Sequence, residues 1–299
     1  MKIKAKYYIL EAVNKSDQLK LIKGEDAKHL KLVLTKMLDD FQNKCESKGL
    51  TPFLVYGSAL GAYRHKGFIP WDDDIDVAMT REDWEKLKLC FLETFSDKYE
   101  LEGPNYDNRD SSSAWGKVYL KGTRFVELMN MNTPYNKGIF IDIFIIDGLA
   151  DNPIIRRIDY FIARVVRFIG NSMSYYKYPN PLLSGIMSAT LQTRLYLLFR
   201  KTIGFVFSWI SHKKLMSLYD RFVSRHRNTR YTIMNYDDAI TERDYWFPIR
   251  KIPFENTLAN VPKDIKGYLE MAFGKSYMQI PPERDREQHF CVELDFGDY

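Results

Sequence analysis

The run Gly138-Ile139-Phe140-Ile141-Asp142-Ile143-Phe144-Ile145-Ile146 constrains the fold of this chain most. It reads as a long apolar strand interrupted by one acid. A carboxylate placed among such neighbours is costly unless something compensates it. A metal, a basic partner or a catalytic task would justify Asp142; an edge position or an ordinary salt bridge is the plainer alternative.

A second acid-bearing segment narrows the choice. In Asp74-Ile75-Asp76-Val77-Ala78-Met79, acid and apolar residues alternate at the start of an expected strand. Residues two apart share a face, so Asp74 and Asp76 project together while Ile75 and Val77 enter the core. Two adjacent carboxylates repel and call for a cation or a shared proton. Hard divalent ions take such oxygen ligands, so Mg²⁺ or Mn²⁺ on Asp74, Asp76 and Asp142 is the expected metal centre. Upstream, Gly57-Ser58 follows the short strand Phe53-Leu54-Val55-Tyr56 and precedes an expected helix from Ala59. Glycine lets backbone approach a phosphate closely, and the amides and the Ser58 hydroxyl can donate to it. Arg64 and Lys66 add positive charge for phosphate oxygens.

The remaining pattern predicts a mixed α+β domain. Helices are expected over residues 25–48 and 81–95, from the spacing of Leu30, Val33, Leu34, Met37, Leu38 and Phe41 and from Gly49 at the stop position. Residues 115–120 and 123–129 read as a strand pair joined by a turn at Lys121-Gly122. Asp147 is expected to cap a turn at the end of the long strand. The chain is divided into a catalytic core over 1–150, a basic amphipathic region over 151–236, and a segment over 237–299 that completes the catalytic domain.

Charge is distributed unevenly over these parts. The 299 residues carry a net charge of +5, yet residues 152–236 hold fourteen Lys/Arg against only Asp159 and Asp220. Arg156, Tyr160, Arg164 and Arg167 recur at helical steps among Ile158, Phe161, Ile162, Val165, Phe168 and Ile169, and a second such stretch runs over residues 194–214. Basic amphipathic helices suit an anionic membrane surface; a core helix with a solvated basic face is the plain alternative. No nucleic-acid motif accompanies the charge, so nucleic acid is not expected as a partner. No run is long enough to span a bilayer, the first residues lack a signal-peptide pattern, and Cys45, Cys90 and Cys291 match no zinc or redox spacing. A cytoplasmic protein lying on the inner membrane face is expected.

The twenty-two residues from Tyr56 to Val77, YGSALGAYRHKGFIPWDDDIDV, closely resemble the signature of the LicD family. Gly138 to Phe144 resembles that family's second block, and Phe273-Gly274-Lys275 with Pro281-Pro282-Glu283 and His289 resembles its closing block, with Lys275 where an acid is more usual. The order of Gly-Ser, acid pair and single strand acid is that of the nucleotidyltransferase superfamily, which implies a nucleotidyltransferase-like mixed sheet with flanking helices. The resemblance also implies transfer of phosphorylcholine, or a related phosphoalcohol, from CDP-choline or another CDP-alcohol. The acceptor would be a sugar hydroxyl of a surface glycan such as lipopolysaccharide or teichoic acid, often lipid-linked, and CMP would leave. Fukutin-type enzymes are relatives. In that scheme Asp142 takes the acceptor proton, Gly57 and Ser58 hold a phosphate, and Lys117, Arg64 or Lys66 neutralises charge, with His289 and Arg286 closing the site. A nucleotidyltransferase releasing pyrophosphate, or a membrane-associated scaffold without activity, are the alternatives.

Overall fold

The computed structural model describes residues 19–106, 113–234, 240–283, 286 and 290–299. Its first helix, α1 (Gly24–Ser47), buries Leu30, Val33, Leu34, Met37, Leu38, Phe41 and Cys45 along one stripe, and Gly49 past its end adopts φ +68. Then follow β1 (Phe53–Leu54), α2 (Tyr56–His65), β2 (Asp76–Thr80), α3 (Arg81–Thr94), β3 (Tyr99–Glu102), β4 (Gly116–Leu120), β5 (Arg124–Glu127) and β6 (Phe140–Leu149). Helices α4 (Pro153–Lys177), α5 (Pro181–Met187), α6 (Leu191–Val206) and α7 (His212–Val223) form one block. The chain closes with β7 (Tyr231–Ile233), β8 (Thr241–Glu242), β9 (Arg250–Phe254), β10 (Thr257–Val261), α8 (Ile265–Phe273) and β11 (Cys291–Asp295).

The architecture is α+β. The main sheet has strand order β1-β2-β6-β4-β3, extended by β7 on β6 and β8 on β7. Only β2 and β6 run parallel; the other pairs are antiparallel. Strand β6 is hydrogen-bonded to β2, β4 and β7 and so lies inside the sheet. Late residues Trp246, Phe254, Val261 and Tyr268 share one core with Phe53, Val77 and Ile143 of the early strands. Each large side chain fully withdrawn from water there contributes roughly 1.5–3 kcal/mol.

Several expectations are corrected. β4 and β5 do not pair, although the Lys121-Gly122 turn lies between them: β3 and β6 occupy both edges of β4, and β5 pairs with β11. Asp147 does not cap a turn; it lies inside β6, paired with Ile233 of β7. Helix α2 begins at Tyr56, three residues earlier than expected, because Tyr56 turns the chain at φ +46 and its N–H donates to the Tyr268 hydroxyl at 2.8 Å. β2 begins at Asp76, so Asp74 precedes the strand, although the Asp142 N–H still donates to the Ile75 carbonyl at 2.9 Å.

The basic stretch forms helices with an unusual orientation. In α4 the inward residues are Asp159, Ala163, Gly170, Ser172 and Met173, while Ile154, Ile155, Ile158, Phe161, Ile162 and Val165 are exposed, Phe161 by 68 %. The second stretch is broken into α6 and α7 by residues 207–211, where Trp209 is 81 % exposed. Small inward residues let α4 and α6 pack closely: a Cβ on Gly204 would collide with the Ser172 carbonyl. Both acids of the region are buried in ion pairs, Asp159 with Arg225 and His226, Asp220 with Arg81.

Candidate active site

Strand register assembles a row of charged residues on one face of the sheet. Glu102 of β3 is opposite Lys117 of β4, Lys117 is opposite Asp142 of β6, and Asp142 is opposite Asp76 of β2. Adjacent strands lie about 4.8 Å apart, so Asp76 and Asp142 stand side by side. The Lys117 ammonium lies 3.0 Å from Asp142 Oδ1 and 3.8 Å from Glu127 Oε2. The Trp115 indole N–H donates to Asp142 Oδ1 at 2.9 Å. Burial pushes the Asp142 carboxyl above the ordinary aspartate range; Lys117 opposes this and Glu127 adds to it. Burial alone would lower the Lys117 ammonium, but Asp142 and then Glu127 carry it above the usual lysine value.

The turn at Tyr56 brings a second element to this face. Ser58 is buried, and its hydroxyl accepts the Asp76 N–H at 2.9 Å, tying the start of α2 to the first residue of β2. Gly57 is pressed against the Asp72 carboxylate, whose Oδ2 would lie 2.7 Å from a Cβ there, so no side chain fits without displacing that acid. Tyr56 packs edge-on against Phe144, two residues beyond Asp142, and Phe144 stacks on Trp115.

A cavity of about 490 Å³ opens beside the row. Lys117, Asp142, Trp115, Glu102 and Glu127 line it from the sheet side; Tyr175, Tyr178, Arg200 and Lys201 belong to the helical wall. Tyr119 and Tyr135 add two further rings. Asp74, Asp76, Gly57, Ser58, Arg64 and Lys66 are not among its lining residues. Arg64 donates to the Tyr277 and Gln279 carbonyls at 2.8 and 3.3 Å, so it holds the closing segment. Lys66 is an exposed left-handed cap at the end of α2. Arg286 stacks over Trp71, next to the acid run, with 4.4 Å between guanidinium carbon and ring centroid. His289 lies outside the described residues.

The donor chemistry suits a hard cation, since Asp74, Asp76 and Asp142 offer only carboxylate oxygens. The geometry fits in part: Asp76 and Asp142 are neighbours, but among the described residues no three acids, histidines or cysteines converge as a ligand set. The Lys117 ammonium instead occupies the oxygens of Asp142. Trp115, Glu127 and the cavity tyrosines escaped the sequence reading. Trp115 carried one usable signal, a large aromatic with a polar tip two residues before Lys117.

Residues 49–151 match the LicD/FKTN/FKRP nucleotidyltransferase domain, a span that includes the Tyr56 turn, Asp76, Lys117 and Asp142. Over 266 residues the chain is 26 % identical to the lipopolysaccharide cholinephosphotransferase LicD of Haemophilus influenzae, covering 88 % of this chain and 95 % of that protein. The chain thus carries a match to the LicD/FKTN/FKRP nucleotidyltransferase domain over residues 49–151 and is similar along most of its length to a LicD phosphotransferase.

Proposed function

We propose that the protein transfers phosphorylcholine from CDP-choline to a sugar hydroxyl of a surface glycan or its lipid-linked precursor, releasing CMP. The observation that carries the choice of choline is the cavity wall: Tyr119, Tyr135, Tyr175 and Tyr178 together with the carboxylates Glu102 and Glu127, adjoining Asp142. Aromatic faces and acids suit a quaternary ammonium, which has no hydrogen to donate. A polyol would ask for a denser set of hydrogen-bonding groups.

In this reading the acceptor oxygen attacks the choline-bearing phosphorus as the bond from that phosphorus to the CMP oxygen breaks. Asp142 accepts the hydroxyl proton, and Lys117 offsets charge on the transferring group. Asp74 and Asp76 would hold Mg²⁺, with Asp142 as third ligand once Lys117 yields. The ion would supply charge neutralisation at the phosphate oxygens. The space beside Gly57 is filled by the Asp72 carboxylate, so no phosphate is assigned to it.

The outward face of α4 and α6 supports a place on an anionic membrane. Phe161, Leu195, Leu198, Phe199 and Phe205 are exposed on these helices and Trp209 in the link after α6, in the segment where bases outnumber acids and both acids are buried. No helix among the described residues is long and apolar enough to cross a membrane. Sedimentation with vesicles checks this: binding to phosphatidylglycerol-containing vesicles, weakened by Phe161→Asp with Trp209→Ser, is expected.

The transfer itself is tested by CMP release from CDP-choline, CDP-ribitol and CDP-glycerol, with Mg²⁺ or with EDTA, using a membrane extract as acceptor source. Metal-dependent release from CDP-choline, absent in Asp76→Asn, is expected. Release from CDP-ribitol or CDP-glycerol alone would replace the donor. No release from any of the three by folded protein would sink the proposal and turn attention to pyrophosphate release from nucleoside triphosphates.

A further inference from the structure

Among the described residues two arginines, Arg81 and Arg200, are deeply buried, and they differ in their surroundings. Arg81 sits between two carboxylates, Asp147 and Asp220. Arg200, on α6, is only 7 % exposed, yet no carboxylate among the described residues pairs with it. Its guanidinium lies against the rings of Phe168 and Tyr175, 4.4 and 4.9 Å from their centroids. One nitrogen donates to the Tyr196 hydroxyl at 3.1 Å, and its buried Nε finds no hydrogen-bond partner.

Withdrawing a guanidinium from water without a counter-charge is expensive. Contact with aromatic faces returns part of that cost, but it leaves a fork of donors without an anion. Arg200 lines the same cavity as Asp142, and Lys201 beside it adds a second positive charge to that wall. Planar guanidinium forks match phosphate oxygens in pairs. We propose that Arg200, assisted by Lys201, forms an anion subsite in the helical wall of the cavity that receives a phosphate group of a substrate. The inference rests on the phosphotransfer reading of the cavity, and two sources carry that chemistry: the diphosphate of the donor and a phosphate on the glycan acceptor.

Calorimetric titration of the full chain with inorganic phosphate, glucose 6-phosphate and CDP-choline at fixed ionic strength tests the subsite. Wild type is expected to bind inorganic phosphate, and Arg200→Met to weaken that binding at least tenfold. The melting temperature of Arg200→Met should be unchanged or higher, since an uncompensated buried charge is removed; a purely structural arginine would lower it. Lys201→Glu, at a partly exposed position, provides an independent reading and should abolish phosphate binding. Alongside the loss of inorganic phosphate, weakened binding of glucose 6-phosphate but not of CDP-choline assigns the subsite to the acceptor, and weakened binding of CDP-choline but not of glucose 6-phosphate assigns it to the donor. Wild type that ignores phosphate, or either variant binding it as wild type does, overturns the subsite. Absent CMP release with phosphate binding intact would instead defeat the transfer reading and leave the subsite standing.

Discussion

The two ends of strand β6 treat a buried aspartate in opposite ways. Asp147 is clamped: Arg81 Nε and Nη2 donate to its two oxygens at 2.7 and 3.0 Å, and Nη1 reaches Asp220 at 2.8 Å. Asp142, five residues earlier and so on the other face, meets a lysine and an indole N–H at the edge of a cavity. An arginine fork closes both oxygens in fixed geometry, whereas an ammonium is a single flexible charge that another cation can replace. One end of the strand holds its aspartate in a closed fork, and the other leaves its aspartate on a flexible ammonium, which the proposed transfer requires.

Four measurements bear on this contrast. Asp142→Asn should reduce turnover roughly 10²–10⁴-fold, the usual contribution of a positioned proton acceptor, with little change in melting temperature. Unfolding of that variant would mean that both ends are structural. Asp147→Ala should leave Arg81 underpaired and cost about 3–5 kcal/mol of stability by denaturant titration, with turnover per folded molecule kept. A fall in turnover without loss of stability would erase the distinction.

A third test uses Tyr219, which precedes Asp220 on α7. Burial, opposed by Arg167 and reinforced by Asp147, pushes its phenol to about 12. The folded state thus holds this proton more tightly than the unfolded chain, whose tyrosines titrate near 10. Its contribution is complete below about pH 10 and is lost as pH rises towards 12, an effect of at most about 3 kcal/mol. Tyr219→Phe should flatten the alkaline fall in stability over that window. The smallest effect is expected at the exposed pair Arg124–Glu293, which joins β5 to β11 with a 2.7 Å contact. Arg124→Ala should cost less than about 1 kcal/mol, and still less in high salt.

The local parts of this fold were legible in the sequence. The apolar run marked β6, the helical stripe marked α1, and the isolated acid in β6 marked Asp142. Register was not legible. Nothing near Lys117 states that its strand lies beside Asp142, and the Lys121-Gly122 turn carries the signal of a hairpin whose partner place is already taken by β3 and β6. Arg64 illustrates another limit: a base within the signature was expected to meet phosphate, but it grips carbonyls more than two hundred residues away. The amphipathic pattern of α4 identified its apolar face but not its direction, because close packing of α4 with α6 depends on Gly204 of a different helix.

The left-handed turn at Tyr56 has a consequence for synthesis. Its amide is held by the hydroxyl of Tyr268, and Tyr268 lies on the penultimate secondary-structure element described here. A nascent chain therefore carries Asp74, Asp76 and Asp142 long before it possesses the group that fixes the turn leading into Gly57 and Ser58. The acids emerge early and the brace emerges late, so completion of the site is timed by translation of the tail.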